Sequence, residues 1–157
     1  MLRVGDTAPE IRAKASNGTP YVLSEQGGLC TVVYFFPKAF TPACTLETKL
    51  FRDNFAELVL AGANVLGVST DDHGTQCRFA QRLHTPFPLI ADYDRSIAKA
   101  YGVLWPLFGL SRRVTFVLSR ERRVLAIFHH ELRVKRIRDQ VLQFVHELRL
   151  KCRDLGA

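Results

Sequence analysis

The chain reads as an α/β protein with a central mixed β-sheet and helices on both faces. Three observations predict this. An uncharged run rich in β-branched and aromatic residues, Leu29 to Phe36, is stopped by Pro37 and followed by helical periodicity, the pattern of a buried strand that feeds a helix. A second apolar run, Asn64 to Ser69, leads into another amphipathic stretch, so strand and helix alternate as they do around parallel strands. Near the end the habit changes to two strand-like runs joined by a charged turn and then a last helix, which adds an antiparallel edge.

Taken in order, Ile11 to Ala15 and Tyr21 to Leu23 read as short strands around the turn signal Asn17-Gly18, closed by Gly27-Gly28. After the strand Leu29 to Phe36, apolar Leu46, Leu50, Phe51, Phe55 and Leu58 recur at helical spacing up to Ala61, with Glu47, Lys49, Arg52, Asp53 and Glu57 between them. Gly62 is placed to end that helix. The strand Asn64 to Ser69 follows, then a helix capped by Asp71 or Asp72 that runs to Leu83 with Phe79, Ala80 and Leu83 inward. Pro86 and Pro88 break it, Leu89 to Ala91 is a very short strand, and Ser96 to Tyr101 a short helix. Gly102 to Leu110 is an apolar loop; Trp105 and Phe108 in it are expected to pack in the core, with a substrate mouth or a dimer contact as the alternative. Arg113 to Leu118 and Arg123 to His129 form the hairpin around Ser119 to Arg122. Val134, Ile137, Val141, Val145 and Leu148 mark the inner stripe of the last helix.

The 157 residues, 47% apolar and 24% charged, suit a single domain spanning 1–157. No apolar core of a signal peptide follows Met1 to Asp6, and no run is long enough to cross a bilayer, so the cytoplasm is the expected location and no membrane partner is expected. Cys30, Cys44, Cys77 and Cys152 are far apart, without a Cys-x-x-Cys pair, which disfavours both a disulfide framework and a disulfide oxidoreductase. The histidines are scattered too, and adjacent His129 and His130 would point to opposite faces of a strand, so no metal and no cofactor is expected. From Arg112 onward 12 lysines and arginines stand against 5 acidic residues, so this part carries the whole net charge of +7. Because these basic residues alternate with apolar ones that hold them outward, a solvated face is expected rather than a nucleic-acid surface.

The stretch with chemical content is Pro37-Lys38-Ala39-Phe40-Thr41-Pro42-Ala43-Cys44, which leaves the buried strand and sets a cysteine at the start of a helix. There the first N–H groups lack intrahelical partners and the dipole is positive, so a thiolate is stabilised. Pro42 suits the first helical position, and Thr41 can cap the helix or offer its hydroxyl to whatever meets the sulfur. On the residues alone, a small, half-buried apolar residue, the commonest fate of a free cysteine, is the favoured reading of Cys44. Arg113 alone could be a surface arginine.

Pro37-x-x-x-Thr41-x-x-Cys44 resembles the peroxidatic motif of the peroxiredoxins, and Phe35 to Thr45 as a whole resembles the Q-type, or bacterioferritin comigratory, branch. Val4 to Pro9, Gly67 to Asp71, Phe87 to Asp92 and Arg113 to Leu118 resemble further family segments in the same order, over nearly the whole chain. The resemblance implies a thioredoxin-like fold and a thiol peroxidase acting on hydrogen peroxide and organic hydroperoxides. Cys44 would be the nucleophile, Arg113 the cation that holds the thiolate and polarises the O–O bond, Thr41 a hydrogen-bonding partner of the peroxide oxygens, and Pro37 a shield for the sulfur. Glu47 resembles a polar residue common at that place in the Q-type branch; pairing with Arg113 and a solvent-facing position are equally expected. Many Q-type members carry a second cysteine where this chain has Lys49, and others carry one on the helix that holds Cys77, one turn further on near Ala80. Cys77 is therefore the candidate resolving residue, with a one-cysteine cycle closed by an external thiol as the alternative. Cys30 is expected to be inert core and Cys152 a candidate for a disulfide with a partner. Thioredoxin or glutaredoxin is the expected reductant, and the protein a monomer or homodimer. The competing reading is a non-catalytic thioredoxin-fold interaction protein that uses its basic C-terminal half.

Overall fold

The computed structural model describes residues 1–155. A small antiparallel hairpin, β1 (Arg12–Lys14) with β2 (Pro20–Val22), precedes a five-stranded sheet. Its centre is β3 (Cys30–Phe35), parallel to β4 (Ala63–Ser69), which in turn is parallel to β5 (Leu89–Ala91). On the other side β3 pairs antiparallel with β6 (Val114–Ser119), and β6 with β7 (Val124–His129). The mixed sheet expected from the sequence is present. Every residue of β3 is buried, as befits a strand covered on both faces.

Alternation along β3 divides the core. Cys30, Val32 and Tyr34 face one layer, where α1 (Pro42–Asp53), α2 (Phe55–Leu60), α3 (His73–Leu83) and α5 (Val134–Asp154) pack. Val33 and Phe35 face the other, covered by the hairpin and by α4 (Ser96–Tyr101). The inner stripe of α5 is buried at Val134, Ile137, Val141 and Val145, as its spacing requires. No helix among the described residues is long and apolar enough to cross a membrane.

Two local readings are corrected. The helix expected to run unbroken to Ala61 splits at Asn54, whose side-chain amide donates to Leu50 O (2.8 Å) and so competes there with the ladder bond from its own backbone N–H (3.2 Å). Phe108 is not core: it is 70% exposed and Leu107 90%, while Trp105 is half-buried beneath the Arg112 guanidinium, 4.5 Å from its ring centre. Of the two candidate caps, Asp72 caps α3 by accepting the Thr75 N–H (2.8 Å), and Asp71 does something else, described below.

Register positions the functional end of the sheet. Phe35 at the end of β3 lies opposite Val68 of β4 and Val114 of β6. Because β6 is antiparallel, its first residue meets the last of β3, so Arg113 arrives beside the segment that leaves β3 for α1. The far end of β7 comes to the same edge, with His129 opposite Val114.

Candidate active site

The connection from β3 to α1 is a tight, pinned turn. The Ala39 N–H donates to Asp71 Oδ2 (2.8 Å), and the same oxygen accepts from Ser69 Oγ (2.7 Å), so the residues just beyond β4 hold the turn beyond β3. Phe40 takes φ of 68°, a left-handed conformation costly for a residue with a bulky side chain, and lays its ring edge-on to Phe79 of α3 at 5.1 Å. Thr41 occupies the N-cap position in an extended conformation but makes no side-chain cap; its hydroxyl donates to Lys38 O (2.6 Å) instead. Pro42 opens the helix, and the first intrahelical bond runs from the Thr45 N–H to Thr41 O (2.9 Å). The N–H groups of Ala43 and Cys44 therefore lie ahead of the ladder.

Cys44, 1% exposed, faces Arg113, which is 3% exposed. The guanidinium is fully oriented: Nη2 donates to Cys44 Sγ (3.3 Å), Nη1 to Glu47 Oε1 (2.7 Å) and Nε to Glu131 O (2.6 Å). The Arg113 backbone N–H also points to Glu131 Oε1 (3.4 Å), and that carboxylate meets His129 Nε2 (3.0 Å). Burial works against the charge of Arg113, yet Glu47 and Cys44 together raise its pKa above the ordinary arginine value. Glu47, 1% exposed, takes the paired position of its two expectations, not the solvent-facing one. Burial pushes its carboxyl up to about 7 against the pull of Arg113, and its second oxygen, Oε2, has no hydrogen-bond partner. One residue further on, Thr48 Oγ1 accepts from the buried Tyr34 hydroxyl (3.0 Å).

The structure thus brings Pro37, Thr41, Cys44, Glu47 and Arg113 to one edge of the sheet, and sets Arg112 apart on Trp105. Cys77 stands elsewhere: half-buried on α3, its Sγ lies 3.5 Å from Ser16 O and 3.3 Å from His73 Nε2. Cys30 is buried in the core, where burial, with a smaller contribution from Cys152, pushes its thiol up to about 12. All four cysteines are free. Among the described residues no three His, Cys, Asp or Glu side chains gather as a metal would require. Glu131 and Asp71 are site residues that sequence reasoning did not assign there. Asp71 is visible as a candidate cap and as the end of the family-like segment Gly67 to Asp71, neither of which places it against the β3 turn, and the bond from Arg113 to Glu131 uses a backbone carbonyl, which no side-chain pattern announces.

The AhpC/TSA family model matches residues 4–127. The chain is 34% identical over 142 residues to the chloroplastic peroxiredoxin Q of Arabidopsis thaliana, covering 90% of this chain and 66% of that protein. To the chloroplastic peroxiredoxin Q of Sedum lineare it is also 34% identical, over 146 residues, 92% of this chain and 78% of the other. The chain therefore spans from about two thirds to three quarters of the length of these plant relatives. Among solved structures, the Mycobacterium tuberculosis peroxidoxin BcpB superposes with a TM-score of 0.86 at 32% identity, covering 94% of this chain and 98% of that one. The Xanthomonas campestris bacterioferritin comigratory protein, in a structural study of alkyl peroxide reduction, superposes with a TM-score of 0.80 at 30% identity, covering 88% and 92%.

Proposed function

The chain belongs to the AhpC/TSA family and is a peroxiredoxin, a thiol-dependent peroxidase, and on that premise we propose that Cys44 is the peroxidatic residue, reducing hydrogen peroxide and organic hydroperoxides. The observation that carries this reading is the buried Arg113 Nη2 donating to Cys44 Sγ at 3.3 Å. Cys30, the other buried cysteine, has no such cation and is held protonated by its surroundings. In the attack the Cys44 thiolate gives an electron pair to one peroxide oxygen; the S–O bond forms, the O–O bond breaks, and sulfenic acid and an alkoxide or hydroxide result. Arg113 meets the charge that develops on the departing oxygen, with the N–H groups of Ala43 and Cys44 beside it. Since the Thr41 proton is engaged by Lys38 O, the Thr41 oxygen acts as acceptor for the O–H of the hydroperoxide. Half-buried Pro37 keeps bulk water from the sulfur. That the Xanthomonas relative is described with alkyl peroxide reduction supports organic hydroperoxides as substrates.

For the return to thiol we propose an external donor of the thioredoxin or glutaredoxin type, which attacks the sulfenic acid, expels water and then resolves the mixed disulfide. Cys77 is the intrachain alternative. Its thiol is turned to Ser16 and His73, and a Cys44–Cys77 disulfide needs Cα atoms within about 7 Å. A Cys44–Cys77 peptide in the mass spectrum of the oxidised protein would assign the role to Cys77; a mixed disulfide on Cys44 would assign it to the external thiol. Four free cysteines support a reducing compartment such as the cytoplasm. The decisive experiment is peroxide consumption with a dithiol donor by the wild type and by Cys44→Ser. Activity is expected to vanish in the variant, and equal rates would overturn the assignment.

A further inference from the structure

We propose that Glu47 is the proton reservoir of the peroxidase site: it holds the proton that Cys44 gives up on becoming a thiolate, and releases it when the sulfur is oxidised. This rests on Cys44 being the peroxidatic residue.

The geometry that points to it is one cation shared by two acids. Arg113 places Nη1 on Glu47 Oε1 and Nη2 on Cys44 Sγ, at 2.7 and 3.3 Å. Both acids are buried, and as residues i and i+3 of α1 they are neighbours on its surface. With both ionised, the site would bury two negative charges against one positive, an arrangement that a low-dielectric interior disfavours. Protonating Glu47 relieves it at little cost, because Oε2 lacks a partner and can take the proton while Oε1 keeps its bond to Arg113. The ordinary alternative, a carboxylate that only orients the arginine, leaves that unpartnered buried oxygen unexplained.

The other groups facing Glu47 favour the same state. Glu131, beyond β7, adds a like charge and raises the Glu47 pKa, as burial does, while Arg113 lowers it. Tyr34, from β3, donates its hydroxyl to Thr48 and stays protonated because burial pushes its own pKa far up. The carboxyl value of about 7 places Glu47 at the point where it can both hold and release a proton.

The balance closes within the site. Before attack the cluster is Cys44 thiolate, Arg113 cation and neutral Glu47. The thiolate electron pair forms the S–O bond, the O–O bond breaks, and the departing alkoxide takes the Glu47 proton, directly or through a water, to leave as alcohol. Afterwards the cluster is neutral sulfenic acid, Arg113 cation and Glu47 carboxylate. The net charge of the buried cluster is unchanged. When a donor thiol returns Cys44 to thiolate, the proton released by that thiol reprotonates Glu47.

Difference infrared spectroscopy of the wild type, reduced against oxidised with one equivalent of hydrogen peroxide below pH 7, tests this on the protein as it stands. We expect loss of a protonated carboxyl C=O band that shifts with isotope-labelled glutamate and is absent from Glu47→Gln and from Cys44→Ser. A pH indicator in weak buffer should record no proton uptake on oxidation of the wild type, and uptake of a proton from solution by Glu47→Gln. Peroxide consumed at full rate with no such band would overturn the reservoir and leave Cys44 as nucleophile untouched. Peroxide left unconsumed by the wild type would overturn the assignment of Cys44 itself.

Discussion

Two helices in this molecule start in nearly the same way and end up with different chemistry. Both α1 and α3 begin a few residues past the end of a parallel strand, and each carries a cysteine in its opening turns, Cys44 and Cys77. In α3 the Asp72 carboxylate caps the Thr75 N–H, and the Cys77 sulfur lies against Ser16 O and His73 Nε2. In α1 Thr41 withholds its side chain from the cap, leaving the Ala43 and Cys44 N–H groups open, and a buried arginine stands opposite the sulfur. The arginine comes from topology. β3 has an antiparallel neighbour whose first residue lies beside its last, whereas β5, next to β4, runs parallel and delivers no chain start at that edge. A helix mouth supplies part of the anion site; the neighbouring strand decides whether it becomes a reactive one.

The comparison breaks most sharply if the arginine is removed. Arg113→Ala should lower kcat/KM for peroxide by ~10²–10³-fold, the cost of losing one donor aimed at a developing negative charge. It also removes the hydrogen bonds to Glu47 and to Glu131 O, and because a buried Glu47 without its cation stays protonated, the accompanying loss in denaturant stability should be that of lost hydrogen bonds, about 1–3 kcal/mol. Arg112→Ala, one residue away on Trp105, should leave the peroxide rate unchanged. Equal losses in both variants would mean that the basic strand acts through general charge.

The next effect concerns pH. Glu47 binds its proton more tightly folded, near 7, than at its ordinary value of 4.5. Between those values the folded state carries a proton that the unfolded chain has lost. This contribution is therefore full below pH 4.5 and disappears as pH rises through 7, a span of about 3 kcal/mol for a fully buried group. Denaturant midpoints of the wild type should fall across that window, and those of Glu47→Gln should be flatter. Identical slopes would remove Glu47 as the titrating group.

Asp71 sharpens the contrast from the side of the turn. Asp71→Ala frees the Ala39 N–H and the Ser69 hydroxyl, with an expected cost of about 1–2 kcal/mol and ~10-fold in peroxide rate through a loosened Cys44 turn. Asp72→Ala removes only the cap of α3 and should lower thermal stability slightly without slowing peroxide attack. A rate loss for Asp72→Ala as large as that for Asp71→Ala would show that the two turns act as one.

How far these features could be read from the sequence follows the range of the interactions that make them. The buried strand, the cysteine at a helix start and the inner stripe of α5 depend on neighbours a few positions away, and periodicity exposes them. Arg113 depends on an antiparallel register between segments some seventy residues apart, and on residues alone it looked like one basic side chain among many; the family resemblance picked it out. Nothing local separates Asp71 from Asp72, whose carboxylates diverge only because one faces the β3 turn. Phe108 misled because apolarity predicts burial, while the Gly102 to Leu110 loop folds with Trp105 under Arg112 and Phe108 outside.

The smallest expected effect is at the second cysteine. Cys77→Ala removes the contacts to Ser16 O and His73 but nothing that touches Cys44, Thr41 or Arg113, so the rate of sulfenic acid formation should not change. Stopped-flow measurement of the first turnover isolates that step from the donor-dependent ones. If the first turnover slows, the two helix starts communicate, and the path available is the Phe40 ring packed on Phe79, two residues beyond Cys77 on α3. Phe40→Ala then gives the discriminating arm: it should reproduce the slowing if the rings carry the coupling. With the first turnover unchanged in Cys77→Ala but later turnovers slower, Cys77 serves the return to thiol, and the difference between the helices becomes a division of labour.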